Sequence, residues 1–394
     1  MQLYNRRKMK KNNPINDPMK VLIAAIFILI GFGIFEVQNA LAYKIGSAEI
    51  KIRPGVTETY DDNITYADTN AIKDYITNFL LGLDLIYEGK LNSLKISGNL
   101  NYEGFNKHST FNNLAEDVSA NYMQELSKLD RFSLRETFVH AEEPRSFEDE
   151  FGRTSGRYSY YRNIVNAAYS RDINENLTLN ANYTNQTDNY SRADLADAFY
   201  NLVGAGAEYV ISSATILLLR GNYSVRKFKP GTDADTKSVT VGLRQYFTKQ
   251  LYVEGRAGYD FIRSYDDTKY TRPTYEVSLT DEIDETSKLT ATYNRDYSNN
   301  AYSQDIFNEW RASLAFTKQL FARLGMTISG FYGNGKYVAT NIDDKLRGAS
   351  AGFSYDVSDK IKLNLNYSYS ETTSNISTRE YKKNVIGFGI KVVF

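Results

Sequence analysis

From Ala48 to Phe394 the chain repeats one rhythm, and that rhythm limits what it can fold into. In IKLNLNYSYS the residues Ile361, Leu363, Leu365, Tyr367 and Tyr369 alternate with Lys362, Asn364, Asn366, Ser368 and Ser370. A period of two is a strand with one apolar and one polar face. The same alternation runs through Leu94, Ile96, Gly98, Leu100 and Tyr102, through Leu177, Leu179, Ala181 and Tyr183, and through Leu251, Val253, Gly255, Ala257 and Tyr259. No stretch of comparable helical period appears, and no linker divides the chain. The links take turns as well. Short ones such as GKLNS (89–93), DINEN (172–176), TKQ (248–250) and VSDK (357–360) alternate with long polar ones such as DDNITYADTNA (61–71), EEPRSFEDEFGRTSG (142–156), KPGTDADT (229–236) and ETTSNIST (371–378). Eight short and nine long links predict about eighteen antiparallel strands, an even number, with both chain ends on the short-turn side. A soluble sandwich has no reason to alternate its loop lengths so regularly.

The aromatic residues say where such a sheet sits. The chain holds 32 Tyr and 21 Phe against 1 Trp and 6 Pro. Tyr87, Tyr102, Tyr183, Tyr223, Tyr259, Tyr293, Tyr332, Tyr355 and Tyr369 are expected near the long-loop end of the apolar faces, and Phe132, Leu251, Phe316 and Phe394 near the short-turn end. Amphipathic rings favour the headgroup level, so two aromatic girdles predict a lipid-facing surface. In lipid no backbone group stays unpaired, so the sheet must close. The fold class expected is all-β: a single transmembrane antiparallel β-barrel. The last strand, NVIGFGIKVVF, is then expected to pair with the first, around Ala48–Val56. Its outward Phe388, Ile390, Val392 and terminal Phe394 read as the signal offered to barrel-assembly machinery.

The first 42 residues stand apart. Arg6, Arg7, Lys8, Lys10, Lys11 and Lys20 precede the apolar run VLIAAIFILIGFGIF, and EVQNALA follows. A basic region, a short apolar run and a small-residue site predict a secretory signal peptide over 1–42, cut after Ala42. The apolar run falls short of the ~20 residues a spanning helix needs. Met19 would start a signal of ordinary length, which marks the first 18 residues as a candidate start-site artefact. The barrel is expected over 43–394. The whole chain is formally neutral; losing those six basic residues with Asp17 and Glu36 leaves it at about −4. No nucleic-acid partner is expected, since that needs a basic surface. With 0 Cys there is no disulfide, thiolate nucleophile or cysteine metal site.

Catalysis is not expected. Only His108 and His140 are present, and neither has an obvious partner for nucleophile activation. The acidic pairs Asp61–Asp62, Asp233/Asp235, Asp266–Asp267 and Asp343–Asp344 fit ordinary turn chemistry better than divalent-ion binding. No cofactor is expected. The inward faces are more informative. By parity Arg220, Arg244, Arg256, Arg311 and Arg323 line the interior, with Glu208 and Glu254 among them. Two readings of these residues stand: a salt-bridge lattice that stiffens the wall, or the lining of an ion-lined conduit. Folding 229–236 as a hairpin sets Arg220 opposite Arg244, and the TKQ turn sets Arg244 opposite Arg256, a basic row that would select anions or hold acidic sugars. No plug is expected ahead of the first strand. The longest loop, Glu142–Gly156, is the segment that could fold inward.

The pattern from VTETYDDNITY to FVHAEEPRSFEDEFGRTSGRYSYYRNIVNAAYSRDINENLTLNANY resembles the outer-membrane β-barrel porins encoded beside exopolysaccharide or exosortase gene clusters. The likeness rests on the TYDDN strand end, the SGRYSYYRN strand start and the final Phe, and it covers the mature chain. It implies a bacterial outer-membrane pore linked to surface polysaccharide, and it carries no catalytic motif. The expected partners are outer-membrane lipid and lipopolysaccharide, the assembly machinery and polysaccharide. Two functions follow from different classes: a passive aqueous pore for hydrophilic solutes, or a non-conducting structural or adhesive barrel that acts through its outer loops.

Overall fold

The computed structural model describes residues 43–394 apart from 230, 232 and 301–304. The signal peptide expected at 1–42 lies outside the described residues. Eighteen long antiparallel strands follow one another around a closed ring. They are β1 (Ala48–Asp61), β2 (Asp74–Glu88), β3 (Asn92–Phe105), β4 (Asn113–Glu125), β5 (Asp130–Ala141), β6 (Tyr160–Asp172), β7 (Leu177–Tyr190), β8 (Asp197–Ser212) and β9 (Thr215–Lys229). The second half is β10 (Asp233–Tyr246), β11 (Leu251–Arg263), β12 (Lys269–Asp284), β13 (Ser287–Asn300), β14 (Asp305–Phe321), β15 (Leu324–Tyr337), β16 (Asp343–Asp356), β17 (Ile361–Ser374) and β18 (Tyr381–Val392).

The ring closes by pairing β18 with β1, Val385 opposite Asp61 and Lys391 opposite Gly55. Phe394 then exchanges both backbone bonds with Ile52. The partner is the one expected, but the register is displaced. The start of β1, Ala48–Ile50, pairs with the short strand Tyr43–Ile45 and not with β18. The stagger leaves the lower edge of β1 beyond the end of β18, so the chain folds back on itself to satisfy it.

The outward positions are the apolar ones read from the alternation. Leu83, Val203, Leu219, Val241, Leu365 and Phe388 are all exposed, an arrangement a water-soluble wall would not keep. Rings gather at the long-loop end, where Tyr275, Tyr293, Trp310 and Tyr332 form a chain with centroids 5.3–5.9 Å apart. Two tyrosines depart from expectation. Tyr87 and Tyr355 lie one residue from the short-turn ends of β2 and β16, so they belong to the lower girdle. Val392 is buried where Phe388 and Ile390 are exposed. The strands also run further than the hydropathy suggests. Most of 229–236 is strand, and the link from β9 to β10 shrinks to 230–232.

Candidate functional site

The inner wall decides what the barrel can do. On β1–β4 it is a closed polar chain: Arg53 holds Asp84 at 2.7 Å and Asn99 at 3.1 Å, and Asn99 donates to Asp117 at 2.6 Å. On β8–β12 it is an alternating lattice. Arg244 sits 2.7 Å from Glu254 and 3.7 Å from Glu208, while Arg256 sits 3.2 Å from Glu254 and 3.1 Å from Glu276. The expected basic row is absent. Arg220 stands opposite Thr240, Arg244 opposite Glu254, and Arg256 opposite Gly242 and Glu276. Strand pairing that runs on to Lys227 and Asp233 shifts β10 along β9, and acids now interleave with the arginines, as like-charge repulsion across a sheet demands. Arg220, Arg244, Arg256, Glu208 and Glu254 nevertheless share one cavity of about 610 Å³ on the inner wall. Arg311 lies higher, 3.0 Å from Asn294 and 3.3 Å from Glu309. Arg323 is not in the wall: it sits in the turn between β14 and β15 and donates to the Val357 carbonyl at 3.1 Å.

The long loop between β5 and β6, residues 142–159, does fold inward. Its sequence explains how. Ser146 caps a single helical turn, α1 (Phe147–Glu150), its hydroxyl accepting from the Asp149 N–H at 3.1 Å. The turn places Phe147 and Phe151 on one side, one helical repeat apart. Both point at the far wall. Phe151 stacks edge-on against Phe307 and Phe331 at 5.1 and 5.6 Å, and Phe147 meets Phe331 at 6.2 Å. Tyr337 and Leu346 complete this buried cluster. The wall is cut away to receive the rings. A Cβ added at Gly333 would come 2.8 Å from Phe151, one at Gly348 would come 2.5 Å from Phe147, and one at Gly335 would overlap Phe307. These strands, β14–β16, stand on the far side of the ring from β5, so the loop crosses the lumen.

Polar contacts fix both its root and its tip. At the root Arg157 binds Glu142 at 3.1 Å, Glu103 at 3.2 Å, and Glu143. Lys383, on β18, bridges Glu143 at 3.2 Å and Asp61 at 2.8 Å. At the tip Arg379, buried and paired with Asp344, donates to the carbonyls of Gly152 and Arg153 and to the Thr154 hydroxyl at 3.3–3.4 Å. The Ser155 hydroxyl returns a bond to the Arg379 carbonyl at 2.7 Å. Tyr337 donates to the Gly152 carbonyl, and Tyr381 donates to Glu150. Burial alone would raise the Glu143 carboxyl, but Lys383 and Arg157 hold it down at about 2. Glu150 differs: burial pushes it up to about 7, against the pull of the Ser370 hydroxyl and Lys383. Beneath the loop remains a cavity of about 520 Å³ walled by hydroxyls, among them Ser313, Ser329, Ser350 and Ser368. Ser329 and Ser350 share a hydrogen bond at 2.7 Å.

The histidines have partners that the sequence did not reveal. His108 Nδ1 lies 2.9 Å from Asp74, which also accepts from the Lys107 and His108 amides and so closes the loop after β3. His140, near the outer rim, has Nε2 at 3.0 Å from the Ser159 hydroxyl and Nδ1 at 3.9 Å from Glu116. The second distance is too long for a hydrogen bond, so the carboxylate does not orient the imidazole as a nucleophile's base requires. The acidic pairs are spent structurally: Asp62 accepts from the Asn384 amides at 2.7 Å, Asp235 and Asp344 hold Arg263 and Arg379, and Asp266 accepts from Thr268. That is the turn reading with ion pairs added.

Residues 307–394 match the family described as "Putative beta-barrel porin 2". The sequence matches no curated protein. Among solved structures, OccK2 (OpdF) of Pseudomonas aeruginosa is similar at 11% identity and a TM-score of 0.48, over 88% of this chain and 97% of that one. OpdK of the same organism, with vanillate, is similar at 12% identity and a TM-score of 0.48, over 88% and 99%. The siderophore receptor PirA of Acinetobacter baumannii is similar at 9% identity and a TM-score of 0.47, over 89% and 81%. The chain is a β-barrel of the bacterial outer membrane, and its last five strands carry the pattern of a β-barrel porin family.

Proposed function

We propose that the barrel is a passive aqueous pore for hydrophilic solutes, with loop 142–159 setting its bore. One observation carries the reading: the loop is seated against β14–β18, while the wall of β7–β11 opposite keeps its charged and amide side chains around a cavity of about 610 Å³. Eighteen strands enclose an interior wide enough for water. A link to surface polysaccharide rests on the resemblance of TYDDN and SGRYSYYRN and on the polar, hydroxyl-rich lining, which suits sugars better than apolar cargo. The second reading, a non-conducting barrel acting through its outer loops, is favoured by the depth at which loop 142–159 is anchored.

Planar-bilayer recording separates the two. The parent is expected to give discrete conductance steps, and a variant with residues 146–155 replaced by a short Gly-Ser link is expected to give larger ones. A silent parent with a conducting loop variant makes the loop a plug. Silence from both, with folded barrels, removes the pore.

A further inference from the structure

At the edge of the charged lattice of the inner wall lies a stretch whose polar groups are unspent. It is centred on β8. Across β7, β8 and β9 the register sets Asn180, Gly206 and Arg220 in one row and Asn182, Gly204 and Asn222 in the next. All six positions share the inward parity, since the residues between them, such as Tyr183, Val203, Leu219 and Tyr223, are the exposed outward ones. The two glycines make a trough. Its flanks are two strand spacings apart, about 10 Å. The side-chain oxygens of Asn182 and Asn222 converge over the place where Gly204 lacks a Cβ. Thr240 stands beside Arg220 on β10, and all of these groups but Gly204 line the cavity described above.

What distinguishes the trough is its bonding. Among the described residues Arg220 has neither an ion-pair nor a hydrogen-bond partner, and neither do the side chains of Asn180, Asn182 and Asn222. The contrast is local. Arg244 and Arg256, in the same cavity, are each held between two glutamates. A guanidinium placed for stiffness would have been paired in the same way, and the acids to do it are only one strand away. An unpaired guanidinium offers a fixed fork that matches a carboxylate. Unpaired amides offer both donors and acceptors, which is what a ring of hydroxyls needs. Because the amide oxygens of Asn182 and Asn222 close over Gly204, a pyranose lies across the mouth of the trough, within hydrogen-bond reach (about 2.8 Å) of both flanks, and not down between them.

We infer that the trough on β7–β9 is a binding station for a sugar acid, a hydroxylated ring bearing a carboxylate, with Arg220 taking the carboxylate and Asn180, Asn182 and Asn222 the hydroxyls. This rests on the pore reading only for its purpose; the site itself requires no conduction. The ligand could arrive as a free uronate or as one unit of an acidic chain, and both present the same group to Arg220.

The test is equilibrium binding to the purified full-length barrel in detergent, by calorimetry or saturation-transfer NMR. The probes are sodium glucuronate, glucose, sodium acetate and a defined polyuronate tetramer. Glucuronate is expected to bind about tenfold or more tighter than either glucose or acetate, because each of those lacks one half of the recognition. Arg220→Gln is expected to lose glucuronate binding by about tenfold and to leave glucose unchanged. Asn182→Ala and Asn222→Ala should each weaken both sugars about threefold to tenfold. Arg323→Gln, at the turn, should bind as the parent does. Heat-modifiable migration on gels checks that every variant is folded. A tetramer that gains over the monomer identifies a chain as the natural source, and equal affinities identify the free acid. Glucuronate binding no tighter than glucose, or unchanged in Arg220→Gln, overturns the inference. A barrel that binds but stays silent in bilayers keeps the station and loses the pore; one that conducts without binding does the reverse.

Discussion

The two sides of the lumen are built on opposite plans. The wall of β14–β18 recedes: Gly333, Gly335 and Gly348 remove side chains, and Ser329 and Ser350 keep them short. The wall of β7–β12 advances, with Arg220, Arg244, Arg256, Glu208 and Glu254 reaching inward. The reason is what each side faces. The first faces protein, and its void is filled by Phe147 and Phe151. The second faces water, where long charged side chains keep their hydration. Gly333 and Gly348 therefore mark where the loop seats its rings, whereas the inward Gly204 and Gly206 of β8 receive none.

The most forceful way to break this contrast is to release the loop from its receding wall. Arg379→Met leaves Asp344 buried without its cation, a change that costs about 3–5 kcal/mol in comparable pairs. Loop 142–159 should become sensitive to protease in the folded barrel. If it stays resistant, the aromatic cluster alone holds it, and the tip contacts are incidental.

The outward and inward faces of one strand give the next test. Leu365 is outward and exposed, and Asn366 is its inward neighbour on β17. Leu365→Arg should cost about 2–4 kcal/mol near the bilayer midplane, and Asn366→Arg little. Unfolding in lipid vesicles measures both. Equal effects would dissolve the assignment of faces on which the two walls depend.

A smaller effect sharpens the idea of a cut-away wall. Gly348→Leu puts a side chain where Phe147 now lies, and overpacking of this kind costs about 1–3 kcal/mol. The same change at Gly221, where an added Cβ comes no nearer than 3.9 Å to any atom, should be close to neutral. Thermal unfolding with conductance reads both. A tolerated Gly348→Leu with unchanged conductance would show that the loop does not use the notch.

The gentlest probe is pH. Glu150 is raised from 4.5 to about 7, so the seated loop keeps this carboxyl protonated where the released loop would ionise it. That contribution to seating is complete below about 4.5 and is lost as pH rises to about 7. Glu143, lowered to about 2, works the other way: its contribution is present above 4.5 and fails only as pH falls toward 2. Between pH 5 and 8 Glu150 dominates, so conductance should rise across this range, and Glu150→Gln should flatten the rise. A flat parent curve would mean that Tyr381 and Ser370 hold the ionised carboxylate equally well.

The strand count, the closure and the face of nearly every residue were legible because a period of two survives without knowledge of any partner. Register was not. Asp233 and Thr236 look like loop residues, yet they extend β10, and that extension moved Arg220 from Arg244 to Thr240. Tyr87 and Tyr355 were misplaced for a related reason: alternation fixes a face but not a height. The inward loop was visible only as a length. Its partners, Phe307, Phe331 and Arg379, lie far along the chain, and no local pattern links them to Phe147 or Phe151. One signal was present, the run of glycines at inward parity on β15 and β16 that includes Gly333, Gly335 and Gly348.

That arrangement also sets an order in time. The surface that receives the rings of Phe147 and Phe151 belongs to β14–β16, part of the chain made late, and Arg379 in the turn before β18 holds the tip, whereas the root rests on Glu103 of the early strand β3. The loop's aromatic tip is synthesised long before the wall that seats it. Its rings can seat only once the final strands have joined the ring. Docking is then a late event that records closure. A pulse of protease during assembly would cut this loop in unfinished barrels and spare it in finished ones.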